Sequence, residues 1–344
     1  MPTTRTRQLK LYAPDLLTSL AERWQPDDAD AQRLAAALAR AKRLPAGTPE
    51  HERLLLELVD LPWTGEGSPP LAAVTAASDL EPGAAGGRSV LRADPVYLRA
   101  DPKRVILVDA PTIGLSAAEA DQMLEALNTH FAGEDLFFCR GSAPERWYLL
   151  SAEFPAFVAD SPTSLRGRPL RGALLEQLGS GRMKQVVMEA QMVLHATAAN
   201  ASRESAGVAP INCIWLWGGG ELPAAGAASP VALFSDDPLV RALGRWAAVA
   251  DVSTPSELSA TLRRPAAGTL AVVLARQADG QDLGKFRREL FEPAMEALNA
   301  GRLQALELIG GGDRFRLTRW NQWRRWRSAD TLVAALRRRQ LGGS

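Results

Sequence analysis

The chain has 344 residues, 46% of them hydrophobic and 23% charged, with 40 basic against 39 acidic side chains. These proportions suit one large or two ordinary globular domains and exclude a wholly disordered chain, a collagen-like fibre and a small disulfide scaffold. Two cysteines, Cys139 and Cys213, are too few for a disulfide framework or a thiolate zinc site, and the near-cancelling charge points in bulk neither to nucleic acid nor to membrane.

Met1–Lys10 is basic, but no apolar run of signal-peptide length follows it. Nowhere do 18 apolar residues stand together. The expectation is a cytoplasmic protein with no membrane attachment.

In chain order, Leu9–Ala13 reads as a short strand and 15–25 and 29–43 as helices. In the second helix Leu34, Leu38 and Ala41 recur at helical spacing until Pro45 and Gly47 stop it. Residues 51–60 form another helix. The stretch 64–90, punctuated by Gly65, Gly67, Pro69, Pro70, Pro82 and Gly83, reads as a loop-rich connector. Val90–Leu98 and Val105–Val108 are strand-like, with Asp101-Pro102 turning between them. Ser116 and Glu119 have capping-box spacing, which starts a helix expected to run to about His130.

Leu136–Cys139 and Trp147–Ser151 read as a hairpin. A loop bearing Arg166, Arg168 and Arg171 leads to one long helix over 182–205. Asn212–Trp217 is a strand with Cys213, Trp215 and Trp217 on one face and Asn212, Ile214 and Leu216 on the other; it runs into Gly218-Gly219-Gly220. Strand 231–235, helices 237–249 and 255–263, strand 269–275, helix 281–299 and strand 303–309 then alternate. That order predicts an α/β fold with a largely parallel sheet flanked by helices. Strand 314–319 and a helix over 328–340 close the chain, and no internal repeat is present.

The histidines are His51, His130 and His195, and none forms a His-x-x-x-His, His-x-His or Asp-x-His pair, so neither a metal site nor a cofactor is expected. No Gly-x-Ser-x-Gly elbow occurs. His195 lies in a helix pattern with Met188 and Met192, where packing competes with ligand contact. The cysteines sit in apolar strands and read as buried, inert thiols.

Asn200 and Arg203, three residues apart, share one face of a helix end. Gly207 suits a left-handed cap, and Pro210 returns the chain so that Asn212 approaches the sheet. Glycines at a strand end let the backbone approach a ligand and turn amides toward an anion. His195, Asn200, Arg203, Asn212, Trp217, Gly218, Gly219 and Gly220 therefore form the candidate ligand-binding set. It suits an anionic, oxygen-rich ligand, with Arg203 supplying a forked charge. The competing reading has Asn200 and Arg203 tie the helix end to the sheet and the glycines make a structural turn. Gly-x-Gly-x-x-Gly is absent, so no dinucleotide is expected.

The stretch His195-Ala-Thr-Ala-Ala-Asn200, with Arg203, Gly207, Pro210, Asn212 and Trp217–Gly220, resembles a motif of the archaeal-type cofactor-independent phosphoglycerate mutases, in the alkaline-phosphatase superfamily. The chain is more similar still to the RpfE-type regulatory proteins. That likeness runs through Leu91–Leu98, Glu145–Tyr148, Glu189–Met192, Asn212–Gly220 and Trp323–Trp326, over about residues 90–327. The resemblance implies a reduced alkaline-phosphatase-like sheet in four segments. These are a helical part and connector over 1–89, a smaller inserted α+β region over 90–180, an α/β core carrying the glycine-turn motif over 181–327, and a basic helix and tail over 328–344.

Mutase catalysis does not come with it. Leu9–Pro14 lacks the Asp-Gly of the family, and Ile309–Asp313 has no histidine. The implied function is a non-catalytic regulatory homologue that binds an anionic ligand, such as a phosphorylated small molecule, or a protein partner. An active metal-dependent mutase or phosphatase is the alternative.

Residues 314–344 hold nine arginines against one acid, Asp330, a net of +8 in a chain whose total is +1. Trp320, Trp323 and Trp326 interleave with Arg319, Arg324, Arg325 and Arg327. If helical, the tryptophans form a stripe that packs inward and leaves the arginines outside. Arginine among aromatics also suits single-stranded nucleic acid or an acidic partner, so an interaction module for nucleic acid or a nucleic-acid enzyme is a further reading.

Overall fold

A computed structural model describes the chain from residue 7 to 342, apart from residues 26, 46–50, 61–68, 82, 102–103, 155–158, 166–168, 171–180, 221–230, 250–251, 265–267, 276–279, 311 and 324–326. The loop arginines Arg166, Arg168 and Arg171, the turn residue Pro102, and Arg324, Arg325 and Trp326 lie outside the described residues.

The strands are β1 (Arg7–Tyr12), β2 (Lys42–Leu44), β3 (Ser89–Asp101), β4 (Arg104–Asp109), β5 (Phe137–Arg140), β6 (Trp147–Ser151), β7 (Pro169–Leu170), β8 (Cys213–Trp217), β9 (Val231–Phe234), β10 (Val252–Ser253), β11 (Gly268–Val273), β12 (Ala305–Gly310) and β13 (Asp313–Leu317). They form two sheets and the chain forms two compact units, one of residues 1–49, 54–62 and 225–344, the other of 50–53 and 63–224.

In the first unit the order is β10-β9-β11-β1-β12-β13-β2. β10, β9, β11, β1 and β12 run parallel, and β13 and β2 add antiparallel at one edge. β9, β11 and β12 are near-continuous apolar runs, as strands need when helices cover both faces. Leu9, Leu11, Val272, Leu306 and Leu308 pack with Leu16, Leu20, Leu34 and Leu38 of the helices Leu16–Glu22 and Ala29–Arg40. Phe286, Phe291 and Leu298 join that core from the helical stretch Leu283–Asn299. The expected α/β architecture with a mostly parallel sheet is therefore present.

That stretch contains a π turn, Arg287–Phe291, in which the Glu292 amide donates to the Arg287 carbonyl. Pro293 follows. Its ring and missing N–H disfavour the ordinary register one turn back, and the wider turn absorbs the misfit.

In the second unit the sheet is antiparallel, β5-β6-β3-β4-β7, and β8 adds to β3. One edge of β3 is shared in succession by β6, at residues 89–92, and β4, at 96–101. β8 covers the opposite edge at 92–96. The Val96 carbonyl accepts from Asn212 on the β8 side, so Pro95 directs its missing donor to the other edge, between the ends of β6 and β4. A proline is thereby tolerated inside a central strand.

Four local expectations change. Residues 42–44 leave the helix at Arg40 and become β2, because a pairing with β13 outweighs local helical preference. The connector holds a helix, Leu71–Asp79, whose alanine-rich sequence follows Pro69-Pro70 at its start, where proline costs little. The helix expected over 182–205 breaks into Arg182–His195 and Ala198–Ser205. Thr197 caps the second piece by accepting from the Asn200 amide. Finally, β8 pairs with β3 and not with the parallel strands, so the glycine-turn segment groups with residues 63–224.

Candidate functional site

Arg203 is 4% exposed and its guanidinium is engaged on all three nitrogens. Nε donates to the Ala209 carbonyl at 2.9 Å, Nη2 to Ile113 O at 3.0 Å, and Nη1 to both Gly114 O at 3.0 Å and Glu119 Oε1 at 2.9 Å. Glu119 also closes the capping box with Ser116 that starts the helix Ala117–His130. Burial works to raise the Glu119 carboxyl, yet Ser116 and Arg203 hold it below its ordinary value.

Asn200 is equally committed. Its amide nitrogen donates to Leu194 O and Ile211 O, both at 2.7 Å, and its oxygen accepts from the Ile211 amide at 2.9 Å. The Asn212 side chain accepts from Leu98 N at 2.7 Å and donates to Leu98 O at 3.0 Å, which extends the β3–β8 ladder by one amide. The structure therefore brings Asn200, Arg203 and Asn212 to one helix–sheet junction, where their polar groups bind the chain itself. His195, the last residue of its helix, is exposed and not part of the junction, and Met188 and Met192 are exposed beside it.

The glycine turn presents a carbonyl, the opposite polarity to the expected anion-binding amides. Gly218 O accepts from the Ala72 amide at 2.8 Å, at the start of the helix Leu71–Asp79. Gly218 has φ +70°, and a Cβ there would lie 3.1 Å from Ala72 N; a Cβ on Gly219 would overlap Leu91 Cδ2. The turn is thus a close packing of backbone on helix. Gly218→Ala is expected to lose about 1–3 kcal/mol of stability in urea unfolding; an unchanged midpoint would contradict this packing role.

A second cluster lies beneath Trp217. Arg92 and Asp94, two apart on β3, share a face and are paired by hydrogen bonds to Asp94 Oδ1 at 3.0 Å from Nε and 2.5 Å from Nη2. Asp94 Oδ2 accepts from Trp217 Nε1 at 2.7 Å. The guanidinium lies 5.2 Å from the Tyr148 ring centroid and 5.3 Å from that of Trp217. Tyr148 donates its hydroxyl to Asp79 Oδ2 at 2.7 Å, while Asp79 Oδ1 meets Arg146 at 2.9 Å and Ser142 at 2.8 Å.

Burial raises the Asp94 carboxyl against the pull of Arg92, Trp217 and the Trp147 amide. Burial also disfavours the Arg92 charge, but Asp94, Tyr148 and Asp79 together hold it above its ordinary value. The two directions oppose each other over the pair. The short charge-assisted bonds and the indole donor decide for the ionised form. Sequence reading missed this cluster as chemistry; its available signal was Arg-x-Asp on a strand.

Burial lifts Cys139 to about 11 and Cys213 to about 12, which keeps both thiols protonated and unreactive. Among the described residues no group of three or more His, Cys, Asp or Glu side chains is arranged to hold a metal ion. No helix among them is long and apolar enough to cross a membrane.

Trp320 and Trp323 do not pack inward as expected of the stripe. β13 ends at Leu317, and Arg319–Trp323 is a single 3-10 segment, in which residues three apart stand on one edge. Trp320 is 81% and Trp323 75% exposed, and Arg319 and Arg327 are exposed with them. Other basic residues nearby are committed: Arg314 forks onto Glu57, and Arg337 binds the carbonyls of Ala21 and Trp24.

The sequence matches no known protein family pattern and no curated protein. Among solved structures, the cofactor-independent phosphoglycerate mutase from Thermoplasma acidophilum is 16% identical over 92% of this chain and 90% of that one, with a TM-score of 0.40. The PH0037 protein from Pyrococcus horikoshii is 16% identical over 91% of this chain and 86% of that one, at 0.45. Likeness at this level carries no argument about what the chain binds or does.

Proposed function

We propose that the chain is a non-catalytic regulatory protein that works by binding, and that its contact surface is the Arg319–Trp323 segment with Arg327, directed at single-stranded nucleic acid. The observation that carries this reading is the pair of tryptophans, 81% and 75% exposed, on one edge of one short turn beside the exposed Arg319 and Arg327. Indole faces stack on bases of any sequence, and guanidinium groups neutralise the phosphates between them. The Asn200–Arg203–Asn212 junction supports the reading indirectly, since its donors serve the chain and leave little for a phosphorylated small molecule.

A fluorescent oligothymidylate titrated at low salt should bind, with affinity falling as salt rises. Trp320→Ala and Trp323→Ala should each lose about 1–3 kcal/mol of binding without loss of fold. Absence of binding at low salt overturns the proposal. Equal binding of an acidic polypeptide, with the same losses in both variants, assigns the surface to a protein partner instead.

A further inference from the structure

A groove of about 400 Å³ lies in the parallel-sheet unit, between the helix Ala29–Arg40, β13 and the helix Ala329–Gly342. Leu38 and Phe315 contribute its floor, and Leu332 and Ala335 a wall. Leu38 and Phe315 are buried in the core below, at 1% and 2% exposure, so the floor is rigid and apolar.

The polar character of the lining is one-sided. Its charged residues are Arg43 and Arg327, and it includes no acid. Arg43 is held in place by Asp313, to which Nε donates at 2.9 Å. Arg327 is exposed and reaches the Ala41 carbonyl only at 3.4 Å. An occupant must therefore bring an apolar body and one negative end. The volume falls in the lower range of small-molecule sites, about 300–1,000 Å³.

We propose that this groove binds an amphipathic monocarboxylate, with its aliphatic chain along Leu332 and Ala335 above the buried Leu38 and Phe315 and its carboxylate at Arg327 beside Arg43. The site shares Arg327 with the tryptophan surface but takes a different ligand chemistry. A polyanion has no tail to bury there, and a purely apolar molecule offers no anion to Arg327, the lining guanidinium that Asp313 does not pair. Burial of each methylene strengthens binding by a fixed factor until the groove is full, while the carboxylate contributes a constant amount.

The test is calorimetric titration of the whole chain with hexanoate, octanoate and decanoate, and with methyl decanoate and decylammonium as controls. One site is expected, with affinity rising about fourfold per added methylene. The ester and the ammonium should bind at least tenfold more weakly than decanoate. Arg327→Gln, at an exposed position, should weaken every carboxylate by a similar factor and leave the chain-length trend intact. Ala335→Leu, which fills the groove from a half-buried position, should abolish binding. No saturable decanoate binding, equal binding of the ester, or an unchanged titration in both variants overturns the proposal. So does a stoichiometry well above one that persists in Ala335→Leu, because that marks non-specific adsorption.

Discussion

Arg203→Ala should destabilise the 63–224 unit by about 3 kcal/mol, an effect on folding before any effect on binding. Truncation leaves the buried Ile113 carbonyl without its donor, takes a donor from the less buried Gly114 and Ala209 carbonyls, and removes the positive partner of Glu119. An unmade hydrogen bond at a buried polar group costs about 1–3 kcal/mol, and an ion pair whose carboxylate reaches solvent adds up to about 1 kcal/mol. For a unit of this size that loss lowers the melting temperature by roughly 10 °C, readable by circular dichroism. Arg203→Lys should recover little, because a single ammonium cannot serve carbonyls in three directions. Glu119→Gln should cost far less, since its amide oxygen still serves the cap. A melting temperature for Arg203→Ala within a degree of the parent would return Arg203 to the ligand-binding role.

What the sequence made legible follows the range of the interactions involved. The helix Ala117–His130 was readable to its last residue because Ser116 and Glu119 satisfy each other within one turn. β9, β11 and β12 of the parallel sheet were readable because their apolar runs alternate with helices along the chain, whereas the two-residue β10 carries no such run. β2 and the pairing of β8 with β3 were not, since each depends on a partner strand about a hundred residues or more away. The break at residues 196–197 hid inside a continuous helical pattern, although Thr197 is a good cap residue.

The candidate site shows the same limit. Asn200, Arg203 and Asn212 do meet at one junction, as their spacing predicts. Spacing reveals which donors a segment owns, but only the fold reveals that Ile113, Gly114 and Leu98 receive them. The exposed tryptophans were misplaced for a related reason. A stripe at helical spacing implies burial only if a helix forms, and here a single 3-10 segment follows β13.

The Arg92–Asp94 pair offers the sharper test, because its two charges fail in different ways when separated. Asp94→Ala leaves a guanidinium 5% exposed by residue, between the faces of Tyr148 and Trp217 and with Asp79, already bonded to Arg146, Ser142 and Tyr148, as a remaining carboxylate, and strips the Trp217 indole of its acceptor. A loss of about 3–5 kcal/mol is expected, readable in urea. Arg92→Met leaves a buried carboxylate, which can escape by taking a proton.

In Arg92→Met the folded-state value of Asp94 therefore rises above the unfolded value near 3.8. A carboxyl raised on folding contributes stability that is fully present below the unfolded value and lost as pH climbs through the folded one. Arg92→Met should accordingly be least impaired near pH 4 and weaken toward neutrality, by up to about 1.4 kcal/mol per pH unit within that window. Arg92→Met combined with Asp94→Asn keeps an acceptor for the Trp217 indole and carries no buried charge, so the slope should vanish and much of the stability return. A single Arg92→Met variant with a flat pH profile and near-parental stability would mean that Asp94 is not closed off from water, and that the cluster is an open polar site.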